Sequence, residues 1–497
     1  MDGNLYELAV GRPRSVEPPS LQPARASASV VLWRRTGPAP QDVEVYWIKR
    51  AESQPFMGGW HAFPGGGLAR GDAEQPVKGE PQTGEGPAAA GIPEALRDLD
   101  APTPDLPPGL VACALRELEE ETGIRLASAS RLVYAGRWVT PPFAPLRFDN
   151  RFFLLEWPAG SSPQPEAHPG EIEHGEWIAP GAAWEAWQRG DVLAAPPILH
   201  ILEVLAEEGP EAGLARLRDP GETNLGPLRR VEMRPGVVMF PLQTHTLPPA
   251  GTTNCYLLGT GDCVLVDPGS GFDRENDRLE RALAAARERL GRRVVAIWLT
   301  HHHPDHVGGV ERLRRSLEVP VLAHPATAER LAPRGIAVDA ALEDGQRFVL
   351  AGEPETSVLV LHTPGHARGH LSFLEEAQRS LLCGDLVAGL GTIVVDPPEG
   401  DMDQYLGSLA RLASLRPRTL FPGHGPVIRN AAAKLREYLD HRMWREERVL
   451  AAWAQGQRTP EEMVGTVYDD APREAWPLAG RQIAAHLERL RRAGRLP

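Results

Sequence analysis

Four separate apolar runs in the second half of this chain each lead into a histidine or an aspartate, and that recurrence narrows the folds open to it. The first, Val294-Val295-Ala296-Ile297-Trp298-Leu299, has strand length and β-branched content, and Thr300-His301-His302-His303-Pro304-Asp305-His306 follows at once. Val358-Leu359-Val360-Leu361 leads through a Pro-Gly turn to His366, Leu381-Leu382-Cys383-Gly384 ends in Asp385, and Thr419-Leu420-Phe421-Pro422-Gly423 ends in His424. Strands that deliver polar side chains at their C-terminal ends are how α/β proteins build sites. His301, His303, Asp305 and His306 give the spacing H-x-H-x-D-H. Imidazole and carboxylate suit zinc, and also iron or manganese. So dense a loop offers more ligands than one ion takes from one segment. The spacing therefore points to two neighbouring ions with further ligands elsewhere, for which His366, Asp385 and His424 are the candidates.

The chain has 497 residues, 42% of them hydrophobic, enough for about two to four domains with sizeable cores. A net charge of -13 argues against a bulk electrostatic grip on duplex DNA, though a local basic groove stays open. Cys113, Cys255, Cys263 and Cys383 show no C-x-x-C spacing, which fits reduced thiols. No basic start followed by an apolar core is present, and no apolar run has bilayer length. The expectation is a cytoplasmic protein with no membrane partner.

In the first half, residues 1–25 read as a Pro-rich flexible arm. Strand-like runs follow at Ser27–Trp33 and Val43–Ile48, then a Gly-rich loop, Trp60-His61-Ala62-Phe63-Pro64-Gly65-Gly66-Gly67. Ala114 to Ile124 reads as a helix closed by Gly123. Glu117, Glu120 and Glu121 stand at i, i+3, i+4 and share one face. Such a face is either solvated or neutralised by Mg2+ or Mn2+, ions that usually also hold substrate phosphates.

Arg116-Glu117-Leu118-Glu119-Glu120-Glu121-Thr122-Gly123-Ile124 resembles the second half of the Nudix box, and Gly66 with Asp72 resembles its first half with Asp in place of Glu. A Pro/Gly-rich insertion at about 73–112 separates the halves, as in the CoA diphosphatase-like subgroup, and Phe148-Asp149-Asn150-Arg151-Phe152-Phe153 is similar to that subgroup's following strand. The resemblance implies Mg2+ or Mn2+ on Glu117, Glu120 and Glu121, with Arg116 orienting a carboxylate and water attacking a diphosphate. An inactive Nudix module is the alternative.

The strand-end ligands in their order resemble the five motifs of the metallo-β-lactamase superfamily. By that resemblance His301, His303 and His366 bind one metal, Asp305, His306 and His424 bind the second, and Asp385 bridges them. Two Zn2+ ions are implied, with iron or manganese as alternatives, and a hydroxide between them as nucleophile. Asp267 would orient the loop, while His302 and His370 receive no ligand role. Asp at 385, where lactamases usually carry Cys, argues against β-lactam hydrolysis. His303, where flavin-partnered redox members carry Glu, favours hydrolysis.

Ala432 to Gln455, a helix from Thr459-Pro460, and Gln482 to Arg492 read as three helices of a winged-helix tail. The tail resembles that of β-lactamase-like endoribonucleases related to glyoxalase II. Arg489, Arg491, Arg492 and Arg495 are candidates for touching phosphates, or form a solvated face. The expected fold is multidomain α/β. A Nudix-like α/β/α domain spans 26–208, a linker 209–228, a metallo-β-lactamase αββα sandwich 229–430, and a winged-helix-like domain 431–497. The expected function is metal-dependent hydrolysis of a small-molecule thioester or ester, or of a phosphodiester, with a Nudix module for a CoA- or nucleotide-type diphosphate. Alternatives are a single-strand RNA endonuclease, or a nucleic-acid-binding sensor with structural metals.

Overall fold

The computed structural model describes residues 23–54, 57–75, 77–79, 106–140, 146–167, 170–219, 224–225, 228–229, 231–247, 250–389 and 391–497. Nearly all of the expected arm and most of the expected insertion lie outside them. The chain divides into two compact units, one within residues 21–224 with 233–235, the other residues 225–232 with 236–497.

The first unit is built on a sheet ordered His61–Ala62, Val43–Arg50, Arg25–Arg35, Phe148–Glu156, Val133–Val139, with Gly65–Gly67 and Ile172–Ile178 joining it at the sides. Period-2 alternation sends Val31 and Trp33 to one face, against helices Pro180–Gln188 and Pro196–Glu207. Ala28, Val30 and Leu32 face the other way, against the helix Leu110–Thr122. That helix ends at Gly123, whose φ of 71° suits glycine and whose N–H reaches Glu119 O. The result is an α/β/α sandwich.

The stretch expected to start a linker differs. Gly209–Ala212 and Leu214–Arg218 are short helices, and Leu214 and Leu217 are buried in the first unit's core. The Gly and Pro residues that read as breakers sit at helix starts, where Pro is tolerated, and the i, i+3 leucines bury one face.

In the second unit a seven-stranded sheet runs in chain order from Val231–Arg234 to Ala340–Ala341. A five-stranded sheet runs Arg347–Leu350, Thr356–His362, Leu371–Glu375, Ser380–Gly384, Thr419–Pro422. The two meet face to face: Trp298 packs on Phe348 and Phe373, and Tyr256 on Phe421. Helices Asp273–Leu290 and Val310–Leu317 cover the outer face of the first sheet. Met402–Ser414 and Ala431–Ala454 cover that of the second. This is an αββα sandwich, and three of the four ligand-bearing runs are strands with their polar ends at one edge, as expected. The fourth, Thr356–His362, delivers His366 through its Pro-Gly turn.

Three helices close the chain, Ala431–Ala454, Pro460–Val467 and Trp476–Arg492. Thr459 caps the second in a full capping box with Glu462. The third starts six residues before the expected Gln482, because Pro477 falls in its first turn. Among the described residues no helix is long and apolar enough to cross a membrane.

Candidate active site and metal centre

Asp267 organises the His-rich loop. It follows the strand Asp262–Val266, beside Arg293–Trp298 in the sheet. Its Oδ1 accepts from Thr300 N at 2.8 Å and its Oδ2 from Thr300 Oγ1 at 2.5 Å and from His306 Nδ1 at 2.8 Å. Gly269 lets the two loops touch, since a Cβ there would strike the Asp305 carbonyl.

Each imidazole but one is held through the nitrogen that faces away from the cluster. His301 Nδ1 donates to Thr300 Oγ1 at 2.9 Å, His366 Nδ1 to Val394 O at 2.7 Å, and His424 Nδ1 to Thr252 O at 3.0 Å. These acceptors take the Nδ1 proton, so His301, His306, His366 and His424 all turn Nε2 inward, the usual way ligand histidines are oriented. His303 presents Nδ1 instead.

The inward atoms converge. His301 Nε2 and His366 Nε2 each lie 3.0 Å from His303 Nδ1. Tetrahedral ligands about 2.0–2.1 Å from zinc stand roughly 3.3 Å apart. A second group forms from Asp305, His306 and His424, with His424 Nε2 at 3.4 Å from Asp305 Oδ2. Asp385 stands between the groups: its carboxylate is 3.7 Å from His366 Nε2, 3.4 Å from His306 Nε2 and 3.3 Å from His424 Nε2. Gly423 gives it room, since a Cβ there would meet Asp385 Oδ1 and stand 2.9 Å from His306 Cε1. His306 Nε2 and Asp385 Oδ1 are buried without a hydrogen-bond partner. Orphaned buried polar atoms facing converging lone pairs fit a cation.

Electrostatics divides the histidines. Burial pushes the pKa of His301, His303 and His366 down, so these rings are neutral. Burial also opposes charge on His306 and His424, but Asp385 and Asp305 outweigh it and hold both up. The Asp385 carboxyl is desolvated, yet His424 and His306 hold it well below the carboxylate range.

Sequence reasoning left His370 without a function. It is fully buried, with Nε2 accepting from Asp385 N at 3.1 Å and Nδ1 donating to Thr363 Oγ1 at 2.9 Å. It thus holds the Asp385 backbone. Thr253, unremarked in the sequence, donates to Asp305 Oδ2 at 3.4 Å.

In the first unit Arg116 gathers the carboxylates. Its Nε reaches Asp72 Oδ1 at 2.8 Å, and Nη1 reaches Glu117 Oε1 and Glu120 Oε2, both at 2.9 Å. Glu121 turns inward, its Oε2 accepting from Gly65 N at 2.8 Å, and burial raises its carboxyl to about 8. Among the described residues, the triads of metal-type side chains with mutually close ligand atoms all lie in the second unit. Glu117, Glu120 and Glu121 therefore share a helix face without being drawn together around one point.

Of the tail arginines, Arg491, Arg492 and Arg495 are exposed, and three of the four pair with carboxylates of the same unit. Arg489 pairs with Glu446 and Asp403, Arg492 with Asp401 and Asp403, and Arg495 with Glu446. Arg491 lies beside the Trp453 ring.

Imidazoles and carboxylates gathered at one edge of two facing sheets, with no cysteine among them, equip a metal-dependent hydrolase. Comparison with known proteins agrees. Residues 248–424 match the metallo-beta-lactamase superfamily, 459–496 the beta-lactamase associated winged helix domain, and 109–195 the NUDIX domain. The chain is 33% identical over 282 residues to the lactamase-like protein vrtG of Penicillium aethiopicum, covering 54% of this chain and 81% of that protein. It is 34% identical over 213 residues to an atrochrysone carboxyl ACP thioesterase of Aspergillus fumigatus, covering 41% of this chain and 61% of that one. Among solved structures, a metallo-beta-lactamase family protein from Thermus thermophilus is 30% identical, covering 52% of this chain and 94% of that chain, with a TM-score of 0.43. The chain belongs to the metallo-β-lactamase superfamily, carries a NUDIX domain ahead of that fold and a winged helix after it, and is a hydrolase. Its fold implies divalent metal binding.

Proposed function

We propose that the second unit hydrolyses a thioester at a dinuclear centre. His301, His303 and His366 hold one ion, Asp305, His306 and His424 the other, and Asp385 spans both. The observation that carries this is the convergence of imidazole nitrogens on either side of a buried carboxylate whose Oδ1 has no hydrogen-bond partner. Zinc suits the N/O ligand set best, with iron or manganese as alternatives. When bound there, two such ions would supply an acidified water and polarise a carbonyl oxygen. The chain's own part is positioning: Asp267, Thr300 and the Val394 and Thr252 carbonyls fix the ring orientations, and His370 fixes Asp385. Asp305, steadied by Thr253, is placed to take the proton lost by the attacking water. Water adds to the carbonyl carbon, the C–S bond breaks, and the thiol leaves with a proton.

A thioester is favoured over RNA on two grounds. A relative bears the name of an acyl-carrier-protein thioesterase, and three of the four tail arginines that would grip phosphates, Arg489, Arg492 and Arg495, are paired with carboxylates of the same unit. For the first unit, the NUDIX match supports Glu117, Glu120 and Glu121 as holders of Mg2+ or Mn2+ once they turn from Arg116 and Gly65 N toward one point, with a CoA- or nucleotide-type diphosphate as substrate. An acyl-CoA contains both scissile bonds.

The test is a hydrolysis panel of acyl thioesters, CoA-type diphosphates and single-stranded RNA. Asp305→Ala is expected to lose thioester turnover by at least about a thousandfold and keep diphosphate cleavage, with the reverse for Glu120→Gln. RNA cleavage abolished by Asp305→Ala, without thioester turnover in the parent, overturns the substrate assignment.

A further inference from the structure

We infer that Arg442 and Gln482, in the C-terminal helices, are positioning residues for the metal centre. They clamp the loop that carries the acceptor for His366. The inference rests on the dinuclear reading above.

Arg442 is 1% exposed and, among the described residues, faces no carboxylate within ion-pair reach. Taking a guanidinium out of water costs several kcal/mol before compensation, so a residue serving only to pack would be better apolar. Its partners show what it does. Nη2 donates to Ile393 O at 2.6 Å and to Thr392 Oγ1 at 3.3 Å, and Nη1 donates to Gln482 Oε1 at 3.1 Å. Gln482 Nε2 donates to the same Ile393 O at 2.8 Å. One peptide carbonyl is thus gripped from two helices, Ala431–Ala454 and Trp476–Arg492. Three residues on, Asp396 is tied to Arg481 at 2.8 Å.

The neighbouring carbonyl, Val394 O, is the acceptor that turns His366 Nε2 inward. The same segment touches two other candidate ligands. Tyr405 OH, on a ring lying under the Arg442 guanidinium, donates to Leu386 O at 2.6 Å, next to Asp385. Gly389 N donates to His424 O at 2.8 Å, and Tyr438 OH meets Ala388 N and O at 3.0 and 3.2 Å. Among the described residues between Leu386 and Asp396, Ala388 is therefore held by Tyr438, Ile393 by Arg442 and Gln482, and Asp396 by Arg481, all from the C-terminal helices. What this segment pins in turn are His366, His424 and Asp385. The winged-helix tail completes the ligand geometry without contributing a ligand.

Outer partners of ligating histidines typically change metal affinity by about 10–100-fold. Zinc affinity is measured by chelator competition on the full chain, together with the absorption spectrum of the cobalt-substituted protein and circular dichroism as a check on folding. Arg442→Met and Gln482→Leu are expected to weaken the tighter-held zinc about tenfold or more and to alter the cobalt bands. Arg442→Lys, which keeps one donor to Ile393 O, recovers part of the loss, and excess zinc restores turnover. Gln482→Leu leaves the guanidinium in place and decides the matter should Arg442→Met not fold. Folded variants with wild-type zinc affinity and an unchanged cobalt spectrum overturn the inference. A wild-type chain that holds no zinc overturns the dinuclear reading instead.

Discussion

Asp267 sits at a φ of 52°, a backbone conformation that few residues other than Gly, Asn and Asp accept. Its carboxylate takes three hydrogen bonds, two from Thr300 and one from His306 Nδ1. Substituting Asn keeps a side chain tolerant of that conformation but replaces one acceptor oxygen with a donor. The amide NH2 then faces either Thr300 N–H, in place of Oδ1, or both Thr300 Oγ1–H and His306 Nδ1–H, in place of Oδ2. Asp267→Asn is expected to lower zinc affinity about 10–100-fold by releasing His306, and to reduce apo-protein stability by about 1–3 kcal/mol through unsatisfied buried donors. Chelator competition and denaturant unfolding read the two effects separately. Asp267 was legible in the sequence because the strand end Val264-Leu265-Val266 marks it. His370, whose ring holds Asp385 N, was not: its contact is made across the sheet, and no local motif reports it.

At the level of the helices, the tail is fastened through Glu446. Its side chain is 1% exposed and meets His486 Nδ1 at 3.5 Å and Arg495 Nη1 at 2.9 Å, and it also bonds Arg489. Burial alone would raise the Glu446 carboxyl, but His486 and Arg489 outweigh it and hold it below the ordinary glutamate value of 4.5. A carboxyl lowered by folding contributes stability above its unfolded pKa and loses it as pH falls through the folded one. Glu446→Gln is expected to destabilise the second unit by about 1–2 kcal/mol at pH 7, since Arg495 loses its carboxylate and Arg489 keeps only Asp403. The gap from wild type should narrow steadily below pH 4.5, which thermal melts across pH would follow. The sequence presented Arg489, Arg492 and Arg495 as a basic stripe, because their partners Asp401, Asp403 and Glu446 lie far back along the chain. Helical periodicity located the three helices but was silent on what their charges face. The same limit applies at Gly209–Arg218: Gly and Pro content reads as a break, while the burial of Leu214 and Leu217 depends on a strand elsewhere.

Across the whole molecule, the two candidate metal sites are written in different ways. The cluster of metal-type side chains in the second unit was legible almost entirely, because each of them terminates or closely follows a short apolar run and the runs recur. The Nudix face was legible as three carboxylates on one helix. Their dispersal, with Glu117 and Glu120 on Arg116 and Glu121 on Gly65 N, depends on a Gly-rich loop remote in sequence. The central claim is that seven side chains of the second unit form one dinuclear centre. Counting ions by native mass spectrometry tests it most directly, in a zinc-loaded chain with Glu117, Glu120 and Glu121 all changed to Gln to silence the first unit. Two zinc ions per chain are expected, falling to one or none on adding Asp385→Ala or Asp305→Ala. A chain that retains no zinc, or one that keeps both ions after either substitution, would contradict it.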